Sequence, residues 1–505
     1  MSGTTTTPNT EVVIPEFKQI MGHPSPLWML FMTEFWERFA FYGIRWALVL
    51  YIVTQFYGGN SAGEADANLT YGSYLALVYA GAVFGGYVAD RVIGYQRSIL
   101  LGAIFMAAGL FAISFPDKDI FKLGLATIIV GNGMFKPNIS TMVGKLYALN
   151  DTRRDSGFTI FYMGINLGAF MAPILTQYLA QKVFNTGDTP AYKIVFFAAG
   201  VGMLISLVWF YFGRATLKGI GAPQGEAKDP KRVAMVAVGA LCVIPVMYAL
   251  LKAGAGNLQI VLTILFVILA IMLMIEGIKE GTIARDKTIA MMIIFAFNIL
   301  FWAFFEQAGS SFTFLAENIV NRVGALGMDV FPTAYFQSVN SVAVIACAPI
   351  IAWVWVAMGK KNVNPSIPRK FGLGILFNAA AFGLLWYALT YLVDAQSMKV
   401  PFWTLFAVYW IQSIGELCLS PIGLSMVTKL APTRLVGLGM GGWFLSTGIG
   451  NNLSGIFASA ASGETGMSPA SALHAYTNGF WILTIGGVIL FLLAPFIQKL
   501  MHGVK

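Results

Sequence analysis

Charge is what this 505-residue sequence has least of: Asp, Glu, Lys and Arg make up 11% of it, against 57% hydrophobic residues. A soluble domain carries about 25% charged residues, so the composition excludes a water-exposed globular fold. Cysteine is nearly absent too. Cys242, Cys347 and Cys418 each fall within an apolar segment, which argues against a disulfide framework or a cysteine-bound metal. The three histidines, His23, His474 and His502, are read as lying in loops or tails, so proton relay through an intramembrane histidine is not expected. There is no Walker-type GxxxxGK phosphate loop, no HExxH and no catalytic Ser/His arrangement, so no nucleotide, metal or other cofactor is implied.

What the chain has instead is long apolar runs, with a mean hydropathy of +0.72. Segments of about 20 residues or more, enough to cross about 30 Å of hydrocarbon, recur along its whole length. They are read at 27–56, 71–93, 97–115, 120–147, 155–181, 191–213, 233–251, 258–278, 288–316, 332–358, 371–392, 401–429, 435–460 and 471–498. Residues 1–26 are polar with no apolar core, so no cleavable signal peptide is expected and the first span is read as the targeting signal. The net charge of +9 comes from 32 basic residues, most of which fall on one side of this fourteen-span arrangement. Clusters such as Arg153-Arg154, Lys231-Arg232 and Lys360-Lys361 all land there, which makes that side cytoplasmic by the positive-inside rule and places both termini on it. The basic balance is therefore topological. Nucleic-acid binding would need a basic face on a soluble element, and none is present.

The longest polar connection, through GIGAPQGEAKDPK, leaves six spans before it and eight after. The first two of the eight carry no charge near their middles and read as packing accessories. The resulting organisation is a tail (1–26), a six-helix bundle (27–213), a linker with two accessory helices (214–287), a second six-helix bundle (288–498) and a short tail (499–505). Six plus six fits two halves related by a pseudo-twofold axis with a pathway between them.

Against that background the charges inside the spans are few: Arg38, Arg45 and Lys136, and Glu34, Glu37, Glu306 and Glu416. Charge at a bilayer centre costs roughly +2.5 to +3.5 kcal/mol per residue on insertion scales, so such residues imply function. Buried charges are normally paired, and three cations against four carboxylates leave one acid without a permanent partner, a candidate proton carrier. In the stretch TEFWERFAFYG, Glu34, Glu37, Arg38, Phe41 and Tyr42 share one helical arc with Arg45. At about 1.5 Å per residue, Arg45 and Glu306 lie at similar depth, roughly 27 Å from the cytoplasmic ends, with Arg38 and Lys136 near ~16 Å and Glu416 near ~21 Å. Two charge layers result, each drawing on both halves. In GNGMFKPNIS, Pro137 removes a backbone hydrogen bond beside Lys136 and is expected to kink its helix. The sequon Asn68-Leu69-Thr70 is read as part of an outer loop.

These residues resemble a known family. GGYVADRVIG, Gly85 to Gly94, is similar to the loop between the second and third helices of the major facilitator superfamily. More specifically, Glu34-x-x-Glu37-Arg38-Phe39-x-Phe41-Tyr42-Gly43 resembles the ExxERFxYYG signature of the proton-dependent oligopeptide transporter family. The likeness continues through Lys136 to Ser140, Phe161 to Gly168, Trp302 with Glu306-Gln307, Phe336 to Asn340, Gly415-Glu416 with Ser420, and Trp443 to Leu445. It implies an all-α membrane protein of the major facilitator superfamily fold, with 6+6 core helices and the two inserted helices of bacterial members.

The resemblance also implies roles. Glu34, Glu37 and Arg38 would take part in proton coupling. Arg45, Lys136 and Glu416 would hold the termini of a di- or tripeptide, with Glu306 helping at the amino end and pairing with Arg45. Tyr42, Tyr74, Asn166, Trp302, Asn340, Ser420 and Trp443 would line the pocket. Phe41 stands where the family has the first tyrosine of its pair, and Ser341 replaces a common proline. The implied activity is proton-coupled peptide import across the cytoplasmic membrane, by a protein working as a monomer. On the residues alone, a small-anion transporter of the same fold and a peptide sensor remain open.

Overall fold

A computed structural model describes residues 14–148, 151–185, 187 and 189–504. Most of the amino-terminal tail, residues 1–13, lies outside the described residues. The rest is helical: α1 (Ser25–Phe56), α2 (Glu64–Val88), α3 (Tyr95–Ala112), α4 (Lys118–Lys145), α5 (Arg154–Tyr178), α6 (Tyr192–Gly213), α7 (Pro230–Ala253), α8 (Ala255–Glu280), α9 (Thr282–Phe305), α10 (Ser311–Asn318), α11 (Tyr335–Lys360), α12 (Ile367–Tyr391), α13 (Phe402–Leu430), α14 (Val436–Ser462) and α15 (Pro469–Leu500). Among the described residues, twelve helices are long and apolar enough to cross a membrane. Helices α4 and α14 are as long, at 28 and 27 residues, but are made polar by lysines in one and by glycine, serine and asparagine in the other.

Local chemistry sets several of the helix starts. Asp117 caps α4 by accepting from the backbone N–H groups of Asp119 and Ile120 at 2.9 and 2.8 Å. Asp229 with Pro230 opens α7, and Ser468 with Ser471 forms a capping box on α15. The turn Ala89–Ile93 prolongs α2 through Asp90 and Arg91 and ends at Gly94, whose φ of 83° suits glycine. The linker docks against that turn, where the Gln96 N–H donates to the Gly221 carbonyl at 3.0 Å and Arg97 to that of Ala227 at 2.9 Å.

Helices α1–α6 pack on one another, as do α9 and α11–α15; the two groups meet along α2 against α14 and α5 against α11. Close approach at these seams relies on small residues. A Cβ on Gly72 would lie 2.6 Å from the Gly455 Cα, so the two backbones touch there. Within the first group, Pro137 has no N–H to offer the Gly133 carbonyl, and that oxygen lies against Gly85, where a side chain would collide. Helix α7 packs on α4, while α8 packs on α9 and α14. The pair's outward faces are exposed apolar side chains such as Met235 and Ile260, as expected for a hairpin in lipid.

Three sequence expectations change. The segment 288–316 is not one helix. It breaks after Phe305, where Glu306 leaves helical geometry (φ −83°, ψ 52°), and resumes at Ser311. The freed groups are satisfied from α14, since the Ser454 hydroxyl donates to the Glu306 carbonyl at 2.8 Å and accepts from Gln307 Nε2 at 2.8 Å. The sequon is not in a loop. Asn68 is fully buried in α2 and donates to the Ala458 carbonyl and the Ser462 hydroxyl, both at 3.0 Å. His474 lies in the second turn of α15 and His502 follows that helix, while His23 sits in a short amino-terminal hairpin with its ring against the Tyr147 hydroxyl at 2.8 Å.

Candidate functional site

The end of the bundle bearing Phe56 and Glu64 is closed, and the end bearing the amino terminus is open. At the closed end Ser73 of α2 donates to Asn452 of α14 at 3.2 Å, and Ser338 of α11 donates to the Phe170 carbonyl of α5 at 2.8 Å. At the other end a cavity of about 1860 Å³ runs inward between the two groups. Its walls include Tyr79 and Lys136 on one side and Met440 and Phe444 on the other, with Lys145, Arg154 and Lys218 near the mouth.

Beyond Lys136 lies the first charge cluster. Glu34 projects from α1 about one turn before the adjacent Glu37 and Arg38, and all three are at most 3% exposed. Arg38 holds Glu37 through two N–H···O bonds, one of them 2.6 Å long, and its Nε lies 3.3 Å from Glu34. Asn132 of α4 adds a weak bond to Glu37 at 3.4 Å. The other Glu34 oxygen, Oε2, is buried without a partner. One guanidinium thus serves two carboxylates, and the group carries an excess negative charge that a proton on Glu34 or Glu37 removes. The Arg38 guanidinium also lies 4.9 Å from the Phe41 ring centroid, a cation–π contact, and Phe41 meets Tyr42 edge-on.

A second cluster closes the far side. Arg45 of α1 and Glu306, at the break between α9 and α10, form an ion pair between the two groups, and the Arg45 Nε donates to the Tyr71 hydroxyl at 3.0 Å. The equal depths read from the sequence therefore do bring Arg45 and Glu306 together. Helix unwinding explains how: the break carries the Glu306 carboxylate off the helix end, and Gly309 packs against the Tyr71 ring and the Arg45 stem where any side chain would clash.

Among the described residues, two intramembrane charges have no ion-pair partner. The Lys136 ammonium sits 4.5 Å from the Tyr79 ring centroid. In the opposite group Glu416 of α13 accepts from Asn340 of α11, at 3.2 Å, while Asn340 is itself oriented by the Ser413 hydroxyl at 2.9 Å. Because Arg38 engages two acids, the structure leaves one cation as well as one acid unpaired, which simple counting does not reveal.

The pocket residues implied by resemblance divide. Tyr42 stands between the clusters, 5.9 Å from the Arg38 and 5.7 Å from the Arg45 guanidinium. Trp302 donates to Asn298 at 3.1 Å and faces Tyr79 with ring centroids 6.5 Å apart. Ser420 keeps its hydroxyl unpartnered. Asn166 turns back onto the Tyr162 carbonyl of its own helix at 3.0 Å. Two more, Tyr74 and Trp443, are packed among their neighbours. Tyr74 is 1% exposed, so it packs rather than lines the cavity, and Tyr79 takes that place. Trp443 is packed between Phe295 and Phe371, over Gly423, away from the cavity wall formed by its neighbour Phe444.

Tyr71, Tyr79, Asn132 and Ser413 were not anticipated. Periodicity held the signal for Tyr79. Gly72 and Ala76, which meet Gly455 and Gly448 of α14, share a helical stripe with Tyr79, whereas Tyr74 is about 200° from Gly72.

Comparison with known proteins decides the family. The model of the POT family matches residues 96–473. The chain belongs to the POT family. Among POT relatives, the peptide transporter YePEPT of Yersinia enterocolitica is 35% identical over 88% of this chain and 90% of its own. The dipeptide and tripeptide permease B of another Yersinia enterocolitica strain is 31% identical over 96% and 97%. A crystal structure of a POT peptide transporter in complex with alafosfalin superposes with a TM-score of 0.80 at 33% identity, covering 96% of this chain and 97% of that one. As a POT family member this protein is an integral membrane transporter, not an enzyme, and its fold is that of the major facilitator superfamily.

Proposed function

We propose that this protein is a proton-coupled symporter that imports di- and tripeptides by alternating access, one six-helix group (27–213) rocking against the other (288–498), with residues 214–287 as linker and accessory hairpin. The observation that carries this reading is a pair of charges that have no ion-pair partner among the described residues: Lys136, on the cavity wall in one group, and Glu416, held by Asn340 in the other. A zwitterionic peptide needs a cation for its carboxylate and an anion for its ammonium, and supplying both ends recruits exactly the two charges that the protein itself leaves free. The names of the relatives, peptide transporter and dipeptide and tripeptide permease, agree with that chemistry. Arg45 and Glu306 would strengthen the grip as they separate, with Tyr42, Asn166, Trp302, Asn340 and Ser420 around the peptide.

Glu34, Glu37 and Arg38 supply the coupling. The coupling ion is the proton, and no cofactor enters. The protein resides in the cytoplasmic membrane with both termini inside and works as a monomer, so the cavity seen here is the inward-facing one. Uptake of a labelled dipeptide into proteoliposomes tests the reading: concentrative uptake is expected only with acid outside, the peptide is recovered intact, and nitrate does not compete. Equal accumulation without a pH gradient would refute proton symport.

Phe41 offers a specificity test. Its ring already covers one face of Arg38, so Phe41→Tyr adds a hydroxyl beside a cation without removing that contact. A hydrogen bond to a charged ligand is worth about 1.5–3 kcal/mol. Affinity is expected to change more for peptides with a polar first residue than for dialanine, read from competition curves across a dipeptide panel; a uniform shift would make Phe41 a packing residue.

A further inference from the structure

A third carboxylate between the two groups lies outside both charge clusters, at the closed end. Glu64 opens α2, and its side chain is 3% exposed, pressed into the α14–α15 connection of the opposite group. Asn318, at the end of α10, donates to Glu64 Oε1 at 2.9 Å, and the Met467 backbone N–H donates to Oε2 at 2.8 Å. Neighbouring contacts make the same seam: Ser61 donates to the Thr465 carbonyl at 2.7 Å, and Asn68 reaches Ala458 and Ser462.

No cation accompanies Glu64. Among the described residues the charged groups on the elements around it are otherwise engaged or turned outward. On its own helix Asp66 pairs with Lys118 of α4 at 3.4 Å and accepts from Tyr57. On α10, Glu317 pairs with Arg322 at 2.7 Å. Glu464, in the α14–α15 connection, and His474, on α15, are exposed. The neutral hydroxyl of Ser462 also hydrogen-bonds the carboxylate, as a donor like Asn318 and the Met467 N–H.

We propose that Glu64 is a proton-binding site of the outer seal, loaded from the outside as that end closes and emptied to the same side as it opens. Opening withdraws α2 from α14 and leaves the carboxylate in external water; closing strips that water and replaces it with three neutral groups, Asn318, the Met467 N–H and the Ser462 hydroxyl. A buried ionised carboxylate with no counter-ion is costly, whereas the acid form keeps the bonds from Asn318 and Met467 through its oxygens, and the Ser462 hydroxyl, a donor to the carboxylate, can turn to accept from it. Because Glu64 meets only the outer compartment, its proton shifts the balance between open and closed without being carried across. It is separate in kind from the coupling at Glu34, Glu37 and Arg38.

The inference rests on the alternating-access reading, and one experiment separates the two. Spin labels at Ala62→Cys and Leu326→Cys, both exposed at the closed end, would report open and closed distances in nanodiscs, in a background free of the native cysteines. A single distance at every pH and with every peptide would refute alternating access itself. With two distances, the closed population is expected to rise as pH falls from ~8 to ~5, by at most about tenfold per pH unit for each proton linked. Glu64→Gln, which keeps the shape and cannot ionise, is expected to be closed at both extremes and to lower the slope of log K against pH by up to one, with the charge moved per peptide unchanged. Glu64→Asp retains the titration and guards against a folding defect in the first variant. A wild-type slope in Glu64→Gln would overturn the site, and a reduced charge per peptide would overturn its confinement to the outer side.

Discussion

Glu37→Gln is expected to abolish gradient-driven accumulation while leaving counterflow exchange at least partly intact. Arg38 spends two of its N–H bonds on Glu37, at most one weaker contact on Glu34, and faces aromatic rings elsewhere. Charge-assisted bidentate pairs are the strong ones, so the ionisation of Glu37 decides where the guanidinium points. A glutamine permanently presents the proton-loaded form: Arg38 turns to Glu34, the cluster becomes neutral, and no proton has to enter or leave for the helices to move. Exchange needs binding and rocking but no net proton movement, so it survives; accumulation needs the proton to be released inside, so it is lost. Proteoliposomes assayed in both modes read this directly. Concentrative uptake by the variant at the wild-type rate would remove Glu37 from the coupling. Asn132→Ala, which deletes only the 3.4 Å contact, is expected to do far less.

The second large effect concerns Arg45 and Glu306. Their pair joins the two helix groups across the closed end and is about nine-tenths buried, at 11% and 12% exposed. Removing one member leaves a buried charge facing nothing, which typically costs 3–5 kcal/mol, whereas removing both costs less than the sum. Arg45→Ala strands Glu306 at a helix break whose backbone is already held by Ser454. Glu306→Ala leaves Arg45 with only the Tyr71 hydroxyl, so it is expected to be the milder of the two. Melting of the detergent-solubilised single and double variants measures the coupling, and strictly additive losses would mean that the pair contributes nothing in the ground state. On the alternating-access reading the pair parts when the closed end opens, so the double variant is also expected to populate the form open at that end more than the wild type does.

How far the sequence reaches is set by which forces are local. Fourteen long helices follow from apolar length alone, since a backbone in hydrocarbon has to satisfy its own hydrogen bonds, and the placement of lysine and arginine follows from the cost of moving charge across lipid. The expense of intramembrane charge also singled out Glu34, Glu37, Arg38, Arg45, Lys136, Glu306 and Glu416, and helical rise put Arg45 level with Glu306. Which charges pair was decided only by the fold. Arg38 takes two acids because α1 places both within reach of one guanidinium, which leaves Lys136 of α4 and Glu416 of α13 without an ion-pair partner among the described residues. The break at Glu306 was equally hidden: its broken hydrogen bonds are repaired by Ser454, almost 150 positions away in sequence, which no local propensity can register. Tyr74 and Tyr79 have the same chemistry on one helix, and only the Gly72–Gly455 contact, which fixes how α2 is turned, makes one a packing residue and the other a wall of the cavity. Glu64 escaped notice for a related reason. At a helix start a carboxylate looks like an ordinary exposed acid, and it becomes a buried one only when the opposite group closes over it.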